Sequence, residues 1–232
     1  GKVLRTAGYP GVIYIAADAR RIEPRPEDFK PKGVRAAHAS IIAGANSIFD
    51  TQRFNDLKSI NLSRGVGNDA FLLELPPRPG IPGKNYASER NFSLGELCII
   101  KLLRMLKDCA DNSLVLIDEL ELALHPMAQV ALLKHLEDVA ETKKLTIVVS
   151  THSATLIKQA GEQRLLLLQN DGQGNITCQS KCFPSLVLGA LAYGEENAAD
   201  RIIYVEDDAA KVIVDHLVGK VCHDLYKGLV PS

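Results

Sequence analysis

The clearest periodicity lies in the middle of the chain. Leu97, Ile100, Leu103 and Leu106 recur at helical spacing, with further apolar residues between them. This predicts a largely buried helix. Leu114–Ile117 is a short continuous apolar run, the pattern of a strand buried on both faces of a parallel sheet. Over 126–141, Val130, Leu133, Leu136 and Ala140 form one stripe of an amphipathic helix. Leu145–Val149 reads as a second buried strand and Leu165–Leu168 as a third. Gly172-Gln173-Gly174-Asn175 then turns the chain into Ile176–Cys178.

Upstream, Val12–Ala16 is β-branched and aromatic and predicts a strand. Pro24, Pro26 and Pro31 mark 20–34 as a surface loop. A helix is expected within 40–60, a strand over Phe71–Leu75, and a Pro/Gly linker over Pro76–Gly83. Near the end, Ile202–Val205 predicts a last strand, followed by a helix to about Val218.

Strand, helix, strand with short connections implies a right-handed βαβ unit and an α/β fold with a largely parallel sheet. Such sheets bind ligands at the carboxyl ends of their strands. Asp118, Glu119 and His152 fall at those ends. At 46% apolar residues in 232, the chain can bury a full core. A net charge of −1 argues against a basic surface spread over the whole domain. The densest basic stretch, Arg20, Arg21, Lys30, Lys32 and Arg35, reads either as a local DNA contact or as a solvated loop. The chain has five cysteines, an odd number, and Cys98 and Cys109, within the helical apolar pattern, read as reduced thiols of a cytosolic protein. Cys178 and Cys182 lack a second ligand pair at zinc spacing. No signal peptide or membrane-length apolar run is expected to direct the chain to a membrane.

Three short segments carry chemistry. Leu114–Ile117 runs directly into Asp118 and Glu119. Two acids at the mouth of a buried strand need compensation, which a magnesium ion would supply. Asp118 would hold the ion through its water shell, and Glu119 would polarise an attacking water. Without an ion, they are a solvated strand-to-loop junction. Ser93-Leu94-Gly95-Glu96 fits a capping box, and the same helix N-terminus offers N–H groups and a hydroxyl to a phosphate. Ser150-Thr151-His152-Ser153 follows a strand. His152 could sense a γ-phosphate there, or the hydroxyls could simply cap the next helix.

Taken in order, these segments resemble an ABC-type ATPase head. Asn91–Glu96 is similar to the signature motif, Ser113–Glu119 to Walker B with its catalytic glutamate, and Ser150–Ser153 to the switch-histidine loop. Ile117-Asp-Glu-Leu-Glu121-Leu-Ala-Leu124-His125-Pro126 resembles the form found in overcoming-lysogenization-defect, RecF and SMC-like ATPases rather than in transporters. The likeness is good over 85–160 and loose over 11–21.

It implies a P-loop NTPase-like layered fold over 1–180, incomplete at its N-terminus, with a C-terminal extension over 181–232. It also implies ATP and magnesium as cofactors, with Asp118 at the metal and Glu119 and His152 catalytic. Ser93, Gly95 and Glu96 would contact ATP in trans, across a homodimer or higher oligomer joined through the signature and the D-loop at Leu124–Pro126. Retron-associated and Septu-type anti-phage ATPases share this general build, often beside a nuclease or effector partner, and DNA is a further expected partner.

Two departures qualify the likeness. The sequence contains no Gly-x-x-x-x-Gly-Lys-Ser/Thr. The expectation is a fragment lacking its N-terminal lobe; the alternatives are a P-loop lost or supplied from elsewhere. Ile202–Lys211 resembles the opening of a Toprim domain, with Glu206 at the position of its metal-dependent nuclease glutamate, but no later Asp-x-Asp follows. An ordinary strand followed by an acidic helix start fits equally. The readings are therefore an ATPase of DNA repair or phage defence, a nucleotide-free scaffold that assembles partners, or an ATPase fused to a Toprim nuclease.

Overall fold

The computed structural model describes residues 7–16, 20–29, 33–62, 69–77, 83–119, 121, 123–170 and 172–195, with 212 and 216. The chain divides into two units, Gly1–Leu188 and Gly189–Ser232. The expected strand at Ile202–Val205 and Glu206 lie outside the described residues.

Three strands form a parallel sheet in the order β1-β6-β7: β1 (Val12–Ile15), β6 (Leu114–Ile117) and β7 (Thr146–Val149). Tyr14 is level with Leu116, and Leu116 with Val148. β6 runs through α3 (Pro126–Lys143) into β7, the expected βαβ unit. α2 (Leu94–Asp108) buries Gly95, Leu97, Ile99, Ile100, Leu102, Leu103 and Leu106. With so much of its surface covered, it is the central helix of the domain.

The residues pointing to one side of the sheet, Ile13, Ile15, Val115, Ile117, Ile147 and Val149, join α2 and α3 in the main core. On the opposite face Val12 is 38% exposed, Tyr14 60% and Val148 44%. Parallel sheets are normally covered on both faces. Among the described residues the opposite face is covered only in part, since Leu114 on that face is 7% exposed.

A second, antiparallel sheet has the order β2-β3-β4-β5, with β2 (Val34–Ala36), β3 (Leu57–Asn61), β4 (Asp69–Leu75) and β5 (Asn85–Ala87). Alternation along β4 sends Phe71 and Leu73 into the main core, and Ala70 and Leu72 into a smaller cluster with Ile60. Burial on both faces explains the unbroken apolar run. α1 (Ala39–Phe49) is the helix expected within 40–60. Asp50 closes it in the left-handed conformation, and the chain continues through a short 3-10 turn into β3. Leu165–Leu168 needs correction. The strand is β8 (Leu166–Asn170), paired antiparallel with β9 (Ile176–Ser180). Leu166 and Leu168 are 59% and 65% exposed, so it is a half-open hairpin and not a buried parallel strand. A short apolar run cannot distinguish the two by itself. α4 (Ala154–Ala160) follows β7, and α5 (Pro184–Glu195) follows the hairpin.

Helices α1, α2 and α3 meet at Gly44. A Cβ there would lie 2.9 Å from Leu103 Cδ2 and 3.2 Å from His135 Cε1. Burial in this contact lowers the His135 pKa below the ordinary histidine value, and Asp138 only partly opposes it. The unfolded chain therefore takes up this proton first, near pH ~6.5. The stability contributed by the neutral ring is present above that pH and is lost as pH falls through the folded value. The lowered carboxylates, Asp118 and Glu74, lose their contributions only from about pH 4 downward. We expect the urea midpoint to fall between about pH 7 and about pH 5, and His135→Leu to flatten that slope. An unchanged slope in His135→Leu would assign the loss to another group.

Candidate functional site

The carboxyl edge of the parallel sheet is tied together by backbone and side-chain bonds across its strands. Asp118 N–H donates to Ile15 O at 2.8 Å, and Ser150 N–H donates to Ile117 O at 2.9 Å. The ladder thus extends one residue past each strand and sets Asp118 and Ser150 side by side. The Ser150 hydroxyl donates to Asp118 Oδ1, and the Tyr14 hydroxyl donates to Oδ2 at 3.0 Å. These two donors, Ser150 first and then Tyr14, hold Asp118 below the usual carboxylate range, and the nearby His152 contributes in the same direction. Reciprocally, the Asp118 bond raises the Tyr14 pKa. Asp118 is an anion at neutral pH.

Glu119 follows with φ +53°, in the left-handed region, and its N–H donates to Ser150 Oγ at 3.2 Å. A non-glycine residue costs about 1–2 kcal/mol there, so the surrounding bonds hold the turn. The Glu119 side chain is exposed. Glu121 reaches across to the loop after β7. Its Oε1 accepts from His152 N–H at 2.6 Å and its Oε2 from the Thr151 hydroxyl at 2.8 Å. Ser153 is the N-cap of α4, as its capping reading anticipates, and its hydroxyl also donates to Gln129 Oε1 at 2.6 Å. Buried Gln129 donates in turn to Leu124 O at 3.0 Å.

The signature-like segment is built from the other sheet. Glu89 is fully buried; its Oε2 accepts from Ile22 N–H at 2.8 Å and its Oε1 from Phe71 N–H at 3.1 Å. Arg21 donates to Glu89 O and Phe92 O, each at 2.6 Å. One cation of the basic stretch is therefore spent on the chain entering the signature-like segment. Ser93 and Glu96 form a complete capping box: Ser93 Oγ accepts from Glu96 N–H at 3.2 Å, and Glu96 Oε2 from Ser93 N–H at 2.7 Å. Glu96 Oε1 also takes Arg53 at 2.5 Å. Ser93 itself is exposed. Gly95 lies against the turn at Ala123 and Leu124. A Cβ on it would stand 2.5 Å from Ala123 O and 3.0 Å from Leu124 Cδ2.

The structure thus brings Asp118, Glu119 and His152 to one sheet edge, and sets Gly95, in the helix that Ser93 and Glu96 cap, against Ala123 and Leu124. Tyr14, Gln129 and Arg53 are additions that the linear motifs do not mark, and Glu121 takes a part that its motif alone does not reveal. Only the β1-β6 pairing reveals Tyr14. Glu121 stands in the quoted motif, and its carboxylate among apolar neighbours was the available signal.

The donor set suits a hard cation. Asp118, Glu119 and Ser150 offer oxygen alone. Among the described residues no group of three or more His, Cys, Asp or Glu side chains could hold a metal ion by itself. Magnesium uses such sites, with one or two carboxylates and the remaining positions filled by water and phosphate.

Residues 81–158 match a family described as AAA domain, putative AbiEii toxin, Type IV TA system. The matched stretch contains every site residue from Ser93 to Ser153. No curated protein matches the chain. The match, over part of the chain, and the parallel sheet agree on an AAA-type, P-loop NTPase-like domain of mixed α/β fold. Such a domain binds nucleotide, typically with magnesium. Among the described residues no helix is long and apolar enough to cross a membrane.

Proposed function

We propose that this chain provides the catalytic side of an ATP-hydrolysing head of the overcoming-lysogenization-defect, RecF and SMC-like class. It serves DNA repair or anti-phage defence in the cytoplasm, with a nuclease or effector beside it and DNA as a target. The reading is carried by one observation: Asp118, Glu119 and the Ser150–His152 loop are bonded to one another at the carboxyl edge of a single parallel sheet.

Asp118, kept ionised by Ser150 and Tyr14, is the residue that would hold magnesium through its water shell. When bound, that ion offsets charge on the phosphate oxygens. Glu119 takes the proton of the attacking water, and its carboxylate is exposed and free to do so. His152 contacts the γ-phosphate from the same head. Ser93, Gly95 and Glu96 of one head serve the nucleotide held by the other, because an exposed hydroxyl at a helix N-terminus is a phosphate site. Glu96 acts there chiefly by shaping the loop, since both its oxygens are engaged.

The test is magnesium-dependent ATP turnover by the longest native form of the protein, followed as a function of its concentration. Turnover per head should fall on dilution below the dimer dissociation constant. A per-head rate that stays constant far below it would remove the sandwich dimer. Failure to bind or hydrolyse ATP at all would leave a scaffold that assembles partners.

A further inference from the structure

We propose that Glu121 is a positioning residue of the hydrolytic site, one that holds His152 in place through its backbone. The inference rests on the ATPase reading and deepens it. Glu121 lies three residues after Asp118, yet both its oxygens are spent on the loop following β7. Oε1 accepts the His152 N–H at 2.6 Å and Oε2 the Thr151 hydroxyl at 2.8 Å. Bonds donated to a carboxylate are short and about twice as strong as neutral ones, and the His152 N–H bond is short at 2.6 Å.

Among the described residues the loop's other anchors lie at its two ends, and at the first of them the Ser150 hydroxyl bonds Asp118 and the Glu119 N–H. Ser150 N–H reaches Ile117 O, and Ser153 reaches Gln129. Between them, Thr151 and His152 cross from strand to helix with Glu121 as their partner, and Thr151 Oγ1 takes in addition the Ser153 N–H at 3.0 Å. Glu121 comes from the same turn as Asp118 and Glu119. One carboxylate therefore ties the segment carrying the water-activating group to the segment carrying the phosphate-contacting histidine. A displacement of that turn is passed to His152.

This role predicts a distinctive order of variants. Gln at 121 keeps an oxygen for the His152 N–H. Its amide can donate to Thr151 Oγ1, because a hydroxyl accepts two bonds and the Ser153 N–H uses only one. Asp is one methylene short of the loop, and Ala offers nothing. Glu121→Ala and Glu121→Asp should lose about 100-fold in kcat, the cost of a misplaced catalytic group, with KM for ATP unchanged. Glu121→Gln should keep most of the turnover. Thr151→Val, which removes one arm and keeps the shape, should fall between.

A second readout does not depend on hydrolysis. The His152 amide proton should resonate far downfield in the NMR spectrum of the parent, remain downfield in Glu121→Gln, and move upfield in Glu121→Ala. Wild-type turnover in Glu121→Ala would overturn the proposal. So would a Glu121→Gln as inactive as Glu121→Ala, since the charge itself would then be needed, as a metal ligand or base needs it. An ordinary His152 amide shift in the parent would also overturn it. A parent that hydrolyses no ATP but shows the shifted amide would instead sink the ATPase reading and leave the clamp standing.

Discussion

Glu119→Gln should bind ATP as the parent does and fail to turn it over, with kcat lower by about 100-fold to 10,000-fold, the range spanned by a general base. Gln has nearly the same shape, and among the described residues the carboxylate is exposed and bonds to no neighbour. What shapes the turn is backbone. Glu119 sits at φ +53° because its N–H is held by Ser150 Oγ and because Asp118 N–H continues the ladder onto Ile15 O. Those bonds survive the substitution. The amide cannot take a proton, so only the water-activating step is lost. Single-turnover kinetics with equilibrium ATP binding would separate these effects, and a stalled dimer should accumulate. Hydrolysis at the parental rate would transfer the base role away from Glu119. Weakened binding with hydrolysis intact would make it a phosphate or metal contact. Asp118 differs, since both its oxygens are bonded to neighbours, and removing it would disturb Tyr14 and Ser150 as well.

The elements that carry the site were legible because their signals are local. The β6 run ends in two acids, the Ser93–Glu96 box starts a helix of helical periodicity, and the αβ connection to β7 is short. The supporting structure was not, because its signals are pairings between distant segments. Tyr14 reaches Asp118 only because β1 lies beside β6 in register. Glu89 reads as one more surface acid until β4 and the Arg21–Ile22 segment are brought over it. Arg21 reads as part of a basic patch until its guanidinium is seen on three backbone carbonyls of the signature approach. The β8 error has the same origin. Leu165–Leu168 is as apolar as Leu114–Ile117, and only the partner strand decides which is buried.

Gly95→Ala tests how the signature-like helix is joined to the D-loop. In an open helix the change would stabilise by up to about 1 kcal/mol. Gly189, with nothing among the described residues within 4 Å of its would-be Cβ, is the control where that gain should appear. At Gly95 the new methyl meets a backbone oxygen at 2.5 Å, which no side-chain rotation relieves. The loop bearing that oxygen has little freedom. Ala123 is at φ +59°, Leu124 N–H is bonded to Glu121 O at 3.0 Å, and Leu124 O is held by Gln129 at 3.0 Å. Overpacking of this kind costs about 1–3 kcal/mol, enough to outweigh the helical gain, so Gly95→Ala should melt several degrees below the parent while Gly189→Ala does not. Turnover should fall further than stability. The displaced loop leads through Gln129 to Ser153 and through Glu121 to Thr151 and His152, so a shift at Gly95 reaches the sheet edge that carries His152. The deciding measurement is kcat below the melting range, where every molecule is folded. A folded Gly95→Ala with parental kcat would show that the two ends move independently, and the signature contact would then serve stability alone.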